Sequence, residues 1–225
     1  MAARGARLVV SDIKAAAARL VAEEINHQDG MGVAAAADVT REEQVAKPVS
    51  ACMARFDTVD ILANKAGIIH TPPLTAISAA DWDRVMAVDL KGVFLCCRAV
   101  FPIMMRWMSG KIINIASVAG KRGGGLLGNA CYAAAKDGVI AFAKSVAREG
   151  ALFGINVNAV TPGLTDTDMT KGMNPGQKAA SLQMIPLGRP GQPEDVAKAV
   201  CFPASGESDY LTGEIMDVDG VLMMD

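Results

Sequence analysis

With 225 residues, 51% of them hydrophobic, the chain has material for one globular domain with an ample core, at most with a small appendage. Its 22 basic and 24 acidic residues are interspersed and leave a formal charge of −2, so no basic surface points to nucleic acid or an anionic membrane. Its longest apolar runs are interrupted by charges well short of a membrane span, and two distant histidines, His27 and His70, leave little for a zinc site or a histidine-based triad.

The opening residues, MAARGARLVV, lack the apolar core and cleavage site of a secretory signal. Five cysteines (Cys52, Cys96, Cys97, Cys131 and Cys201) show neither metal nor disulfide spacing, which fits a reducing cytoplasm. Residues 7–12 (RLVVSD) read as a short strand ending in an acid, and 13–29 as a helix stopped by Asp29-Gly30. A second strand is expected over 33–39, followed by a helix that Thr40 caps and Glu43 completes as a capping box, with Pro48 kinking or shortening it. Residues 59–64 (VDILAN) form a third strand, and a long helix over 78–105 should bend at Pro102. The strand at 111–117 leads through a glycine-rich loop into an alanine-rich helix that reaches residue 152, and 155–160 is another strand closed by Pro162-Gly163. Residues 169–190 are polar and punctuated by proline and glycine, the pattern of a mobile flap; a helix over 193–204 and a last strand over 214–218 complete the chain. Strands and helices in alternation, with apolar strands, predict an α/β fold whose parallel sheet is covered on both faces. Ligands of such sheets bind at the carboxyl ends of the strands, where Asp12, Asp38, Asn64, Ser117 and Pro162 fall.

The stretch from Ser117 to Lys136 carries the chemistry. Tyr132 and Lys136 are one helical turn apart, so the phenol and the ammonium share a face. A free phenol titrates near ~10, and a fixed cation beside it favours the phenolate. With a serine delivered by the preceding strand, the three suit proton transfer to a carbonyl or from an alcohol.

On these residues the chain resembles the short-chain dehydrogenase/reductases over about 7–225, nearest to the branch of 3-oxoacyl-carrier-protein-reductase-like alcohol dehydrogenases. The likeness rests on Ser117 with Tyr132-x-x-x-Lys136, on Asn64-Lys65-Ala66-Gly67, on Pro162-Gly163 with Thr167, and on the ending IPLGRPGQPEDVAKAV…LTGEIMDVDG. It implies one Rossmann-like, doubly wound domain over 1–225 and hydride transfer between NAD(H) and a secondary alcohol or ketone. By the same resemblance Tyr132 is the general acid/base, Lys136 lowers its pKa and holds the nicotinamide ribose, and Ser117 orients the substrate oxygen. Asp38 and Val39 would meet the adenine, Asn64, Ala66 and Gly67 the adenosine ribose side, and Thr165 and Thr167 the carboxamide beside Pro162 and Gly163. Such reductases assemble as homotetramers, so a homotetramer is implied. Asp12 carries its own reason: a carboxylate at a strand tip accepts both ribose hydroxyls and repels a 2′-phosphate, which selects NAD.

Several features depart from the family pattern. Its first strand and glycine-rich turn, which seat the pyrophosphate, have no counterpart here; without that strand two sheet edges should stand open between the strands at 7–12 and 59–64. An enzyme sequence lacking its start and a cofactor-free binding or structural homologue are both consistent with this. The glycine run at 123–128 matches Gly-x-Gly-x-x-Gly but starts several residues past the strand, so it reads as a rim of the site. Asp89 stands where the family usually has an asparagine that helps relay protons through water to the lysine; an aspartate can still accept those hydrogen bonds and serve as a catalytic residue, or its charge near Lys136 offsets the cation and raises the tyrosine pKa. Lys65, Pro203 and Val221 are further departures without a functional reading. Asp12 has a second reading as a helix cap, Asn64 as a tie between strands, and Thr165 and Thr167 as caps of a flap helix.

Overall fold

Runs of β-branched and small apolar residues become six parallel strands, and the computed structural model, which describes residues 1–124 and 128–224, divides them between two sheets. β1 (Arg7–Asp12) pairs only with β2 (Met31–Ala36). β3 (Ile61–Asn64), β4 (Gly110–Ile115), β5 (Ile155–Pro162) and β6 (Ile215–Val218) form the second sheet in that order. No described strand lies between β1 and β3, so each keeps one edge without a backbone partner, as expected from the sequence. All pairings are parallel, which brings the carboxyl ends of each sheet to one side.

Eight α-helices are described: α1 (Ala15–His27), α2 (Glu42–Phe56), α3 (Ala79–Met86), α4 (Gly92–Trp107), α5 (Val118–Arg122), α6 (Ala130–Ala151), α7 (Pro175–Gln183) and α8 (Pro193–Cys201). The main core lies where α4 and α6 meet β4 and β5. Val139, Ala143 and Ala147 recur every four residues along α6 and form one apolar stripe, packed in a cluster with Val100, Met104, Ile112 and Val157. No described helix is long and apolar enough to cross a membrane.

The structure corrects several expectations. The single helix over 78–105 is two helices joined by a π-helical segment, Ala87–Lys91, and α4 runs on through Pro102. α2 likewise continues through Pro48 for 15 residues, forgoing only the bond that residue 48 cannot donate. The Thr40–Glu43 capping box does not form, because Thr40 gives both its N–H (2.9 Å) and its hydroxyl (2.8 Å) to Asp38 Oδ1. Arg41 takes the cap position of α2 without a side-chain bond. The glycine-rich loop after β4 begins as a helix, α5, capped by Ser117; of the run at 123–128, residues 125–127 lie outside the described residues. The segment at 169–190 contains α7, opened by an Asn174–Gln177 capping box, so Thr165 and Thr167 do not cap it. Pro203 lies beyond the end of α8, which spares it the cost of a helix interior. Val221 takes φ 73°, a strained conformation for a β-branched residue and the physical reason glycine suits that place.

Candidate active site

Two neighbouring elements deliver the reacting groups. Ser117 lies two residues past β4, where its Oγ accepts the Ala119 N–H at 3.1 Å and so caps α5. Tyr132 and Lys136 lie in the first two turns of α6, both buried, as the i, i+4 spacing predicts. Ser117 lies near enough to the Tyr132 hydroxyl to pull its pKa down. The Lys136 ammonium donates to the Ile115 carbonyl at 3.1 Å, lies 5.7 Å from the centre of the Tyr132 ring, and faces Asp89 Oδ2 at 3.4 Å. Asp89 is fully buried inside the π-helical segment, the kind of helix irregularity that recurs at functional sites. Its Oδ1 accepts the Ile68 N–H at 2.8 Å. Its Oδ2 is close enough to Lys136 for charge pairing but poorly aligned for a hydrogen bond.

The electrostatics overturn the expectation that Lys136 makes Tyr132 acidic here. Burial pushes the Tyr132 hydroxyl up to about 12; Ser117 pulls it down and the Asp89 charge pushes it up. Burial is the largest influence, and the Asp89 charge adds to it in the direction that the departure at that position allowed. Burial also lowers the Lys136 pKa, against the pull of Asp89, and raises that of Asp89, against the pull of Lys136. Each ion is kept charged chiefly by the other.

The remaining expected residues divide by what they touch. Gly67 belongs to the centre: a Cβ there would lie 3.2 Å from Asp89 Oδ2 and 3.3 Å from Lys136 Nζ. Ala66 precedes it, exposed. Asn64 is buried and donates to Asn114 Oδ1 at 2.9 Å, so its tie between β3 and β4 is realised. Asp12 ends β1 exposed, with Oδ1 accepting the Lys14 N–H at 2.8 Å; Lys14, not Asp12, holds the cap position of α1. Asp38 and Val39 lie just past β2, which ends earlier than expected. The Thr40 hydrogen bonds hold the Asp38 carboxyl below its usual range, and Val39 packs where a Cβ on Gly92 would be 2.8 Å away. Pro162 ends β5, and the Gly163 N–H donates to the Val218 carbonyl at 3.0 Å. The Thr165 hydroxyl reaches the Gly163 carbonyl (3.3 Å) and the Thr167 N–H reaches Thr170 Oγ1 (3.0 Å), both contacts within their own segment.

Two residues of the site escaped the sequence reading. Asn129 caps α6, its Oδ1 accepting the Tyr132 N–H; an asparagine three residues before the tyrosine is a cap signal that was available. Gly128 has φ 84°, and a Cβ there would fall 2.5 Å from the Tyr132 ring, so the tyrosine packs flush against backbone.

The fit to a dinucleotide differs along its length. Asp12 offers an exposed carboxylate suited to ribose hydroxyls, and Gly67 leaves backbone close to Lys136, a donor for the other ribose. No described helix is opened by a glycine-rich turn at a strand end, so a seat for the pyrophosphate is missing from the described residues. No described cluster of His, Cys, Asp and Glu could hold a metal ion.

Comparison with known proteins agrees with this geometry. A family model described as enoyl-(acyl carrier protein) reductase matches residues 1–221. A 3-oxoacyl-[acyl-carrier-protein] reductase of Synechocystis sp. is 42% identical over 226 residues, covering 100% of this chain and 90% of that protein. The corresponding FabG of Chlamydia trachomatis is 39% identical over 220 residues, 97% of this chain and 88% of that protein. Among solved structures, gox2181 superposes with a TM-score of 0.95 at 33% identity, covering 98% of this chain and 87% of that one. A 3-oxoacyl-[acyl-carrier protein] reductase of Brucella melitensis superposes with a TM-score of 0.93 at 32% identity, over 100% and 84%.

Proposed function

The chain belongs to the short-chain dehydrogenase/reductase family of nicotinamide-dependent oxidoreductases, and on that premise we propose that it reduces a ketone to a secondary alcohol with NADH, Tyr132 supplying the proton. The observation that carries the direction is the burial of Tyr132, which pushes its pKa up to about 12. A phenol so placed is protonated at neutral pH and gives its proton readily to an alkoxide, a far stronger base, whereas oxidising an alcohol needs the phenolate first. The bound cofactor supplies the hydride. As negative charge develops on the carbonyl oxygen, the Tyr132 O–H donates to it and the nearby Ser117 hydroxyl orients it. Lys136 and Asp89 form a buried ion pair beneath, with Lys136 also available to a ribose hydroxyl. Asp12 supports NADH over NADPH, since its carboxylate would repel a 2′-phosphate.

The relatives named as 3-oxoacyl-[acyl-carrier-protein] reductases suggest that the ketone is the 3-oxo group of an acyl thioester. A groove lined by Met86, Leu90, Phe94 and Phe142, with Asp83 and Lys91 beside them, runs across α3, the π-helical segment, α4 and α6 and offers a surface for a homotetramer built through the long helices. The same reading makes 1–225 one catalytic domain, acting in the cytoplasm. The test follows NADH absorbance with 3-oxoacyl thioesters, diketones and simple ketones. Tyr132→Phe should lower kcat/KM by about 10²–10⁴-fold with little change in fold. A Tyr132→Phe protein as active as the parent would end the proposal, and a chain that binds a partner but turns over no ketone would favour the cofactor-free homologue.

A further inference from the structure

The loop leaving β3 is fastened at two points to the residues around Tyr132. Ile68 donates to Asp89, and two residues on the His70 carbonyl accepts the Asn129 N–H at 3.0 Å. The Asn129 side chain then bridges loop and helix. Its Nδ2 lies 2.7 Å from the Pro72 carbonyl, which can only accept. Its Oδ1 faces the Tyr132 N–H at 3.5 Å, which can only donate, and the Cys131 thiol at 2.9 Å. Those partners decide which end of the amide is nitrogen. Nδ2 is also 2.9 Å from His70 Nδ1, so Nδ1 must present a lone pair. The proton of the neutral ring therefore sits on Nε2, 3.6 Å from Asp81 Oδ1.

Resting on the reading of Tyr132 as proton donor, we propose that His70 is a positioning residue: neutral, it holds Asn129 as the cap of α6, and a second proton on Nδ1 releases that cap and misplaces Tyr132. An imidazolium carries a hydrogen on both nitrogens, so Nδ1–H would confront the amide hydrogens of Asn129 at 2.9 Å. The groups facing the ring divide between its two sides. On α3, the Asp81 carboxylate, shared with Arg84 at 3.2 Å and with Ser78, faces Nε2. On α6, Asn129 faces Nδ1, with the Cys131 sulfur 3.8 Å away. Protonation exchanges the helix cap for a stronger pair with Asp81, so the two states use opposite edges of one ring.

Two histidines make the ring resonances simple to resolve by NMR. The neutral His70 ring should show the Nε2–H tautomer, and the Tyr132 amide resonance should move together with the His70 ring resonances as the solution is acidified. This arm needs neither cofactor nor substrate. In turnover, kcat/KM should have an acid limb approaching about tenfold per pH unit, the limit for one proton. His70→Asn, whose Oδ1 can replace Nδ1 as acceptor, should keep the neutral-pH rate within about threefold and lose that limb. An Nδ1–H tautomer, a Tyr132 amide indifferent to His70, or an unchanged acid limb in His70→Asn would overturn the proposal. Absence of turnover at every pH would instead defeat the reductase reading and leave the NMR arm to decide on His70.

Discussion

Compare β1 with β5, two parallel strands of similar apolar composition. Val157 in β5 is 0% exposed, whereas Leu8, Val9 and Val10 in β1 are only half-buried. Composition does not separate them; neighbours do. β5 has a strand on each side and α6 packed on it, while β1 has α1 and α2 against it but a strand, β2, on one side only. Ser117, Tyr132 and Lys136 stand on the densely packed half, beside β4 and on α6, and Asp12 stands on the half with the open strand edge. On the proposed function, chemistry and cofactor selection therefore rest on supports of unequal burial, and each can be perturbed without the other.

The same substitution in both strands gives the largest contrast. Val157→Ala removes two fully buried methyl groups and leaves a cavity, so it should cost about 2–3 kcal/mol. Val9→Ala, partly solvated already, should cost under about 1 kcal/mol. Each kcal/mol moves Tm by about 2–4 °C in a chain of this size, so the two melting curves should separate clearly. Equal losses would mean that β1 is as well covered as β5.

The contrast also explains what could be read in advance. Ser117, Tyr132 and Lys136 were legible because their meeting is local: a strand end, one helical turn, one shared face. The order of strands followed from apolar runs separated by helical stretches. The π-helical segment around Asp89 was not legible, since a shift in backbone hydrogen bonding has no signature in residue type. The Thr40–Glu43 box failed because Asp38 competes for the same threonine, a contest that a local pattern cannot decide. α7 was read only as an alternative, a flap helix capped by Thr165 and Thr167, although Asn174-Pro175 and Gln177 spell its capping box, because proline and glycine around it read as loop. The acidity of Tyr132 was misjudged for a reason of depth: burial is a tertiary quantity, and here it outweighs the nearby cation.

A smaller effect is expected on the half with the open edge. Asp12 is exposed, so Asp12→Ala should leave Tm within about 2 °C, consistent with the ±0.5 kcal/mol of ordinary surface changes. It should nonetheless lower the ratio of kcat/KM for NADH over NADPH by about tenfold, roughly 1.4 kcal/mol, by removing both the ribose acceptor and the repulsion of a 2′-phosphate. A parent chain that prefers NADPH, or a ratio unmoved by the substitution, would remove Asp12 from the cofactor site.

The subtlest change is at the centre of the densely packed half, where Asp89→Asn keeps the shape and deletes the charge. The amide oxygen can still accept the Ile68 N–H, so the loop after β3 should stay in place. Reduction requires Tyr132 with its proton, so activity holds below the Tyr132 pKa and fails as pH rises through it. Asp89 is one of the influences pushing that pKa up, and without it the alkaline limb of kcat/KM should move to lower pH. Lys136 loses the charge that supports its ammonium and, buried as it is, should release its proton more readily, which limits the shift by weakening the cation near the phenol. A displacement toward higher pH would mean that Lys136 outweighs Asp89 at Tyr132. An unmoved limb would mean that the buried pair acts on Tyr132 only as packing.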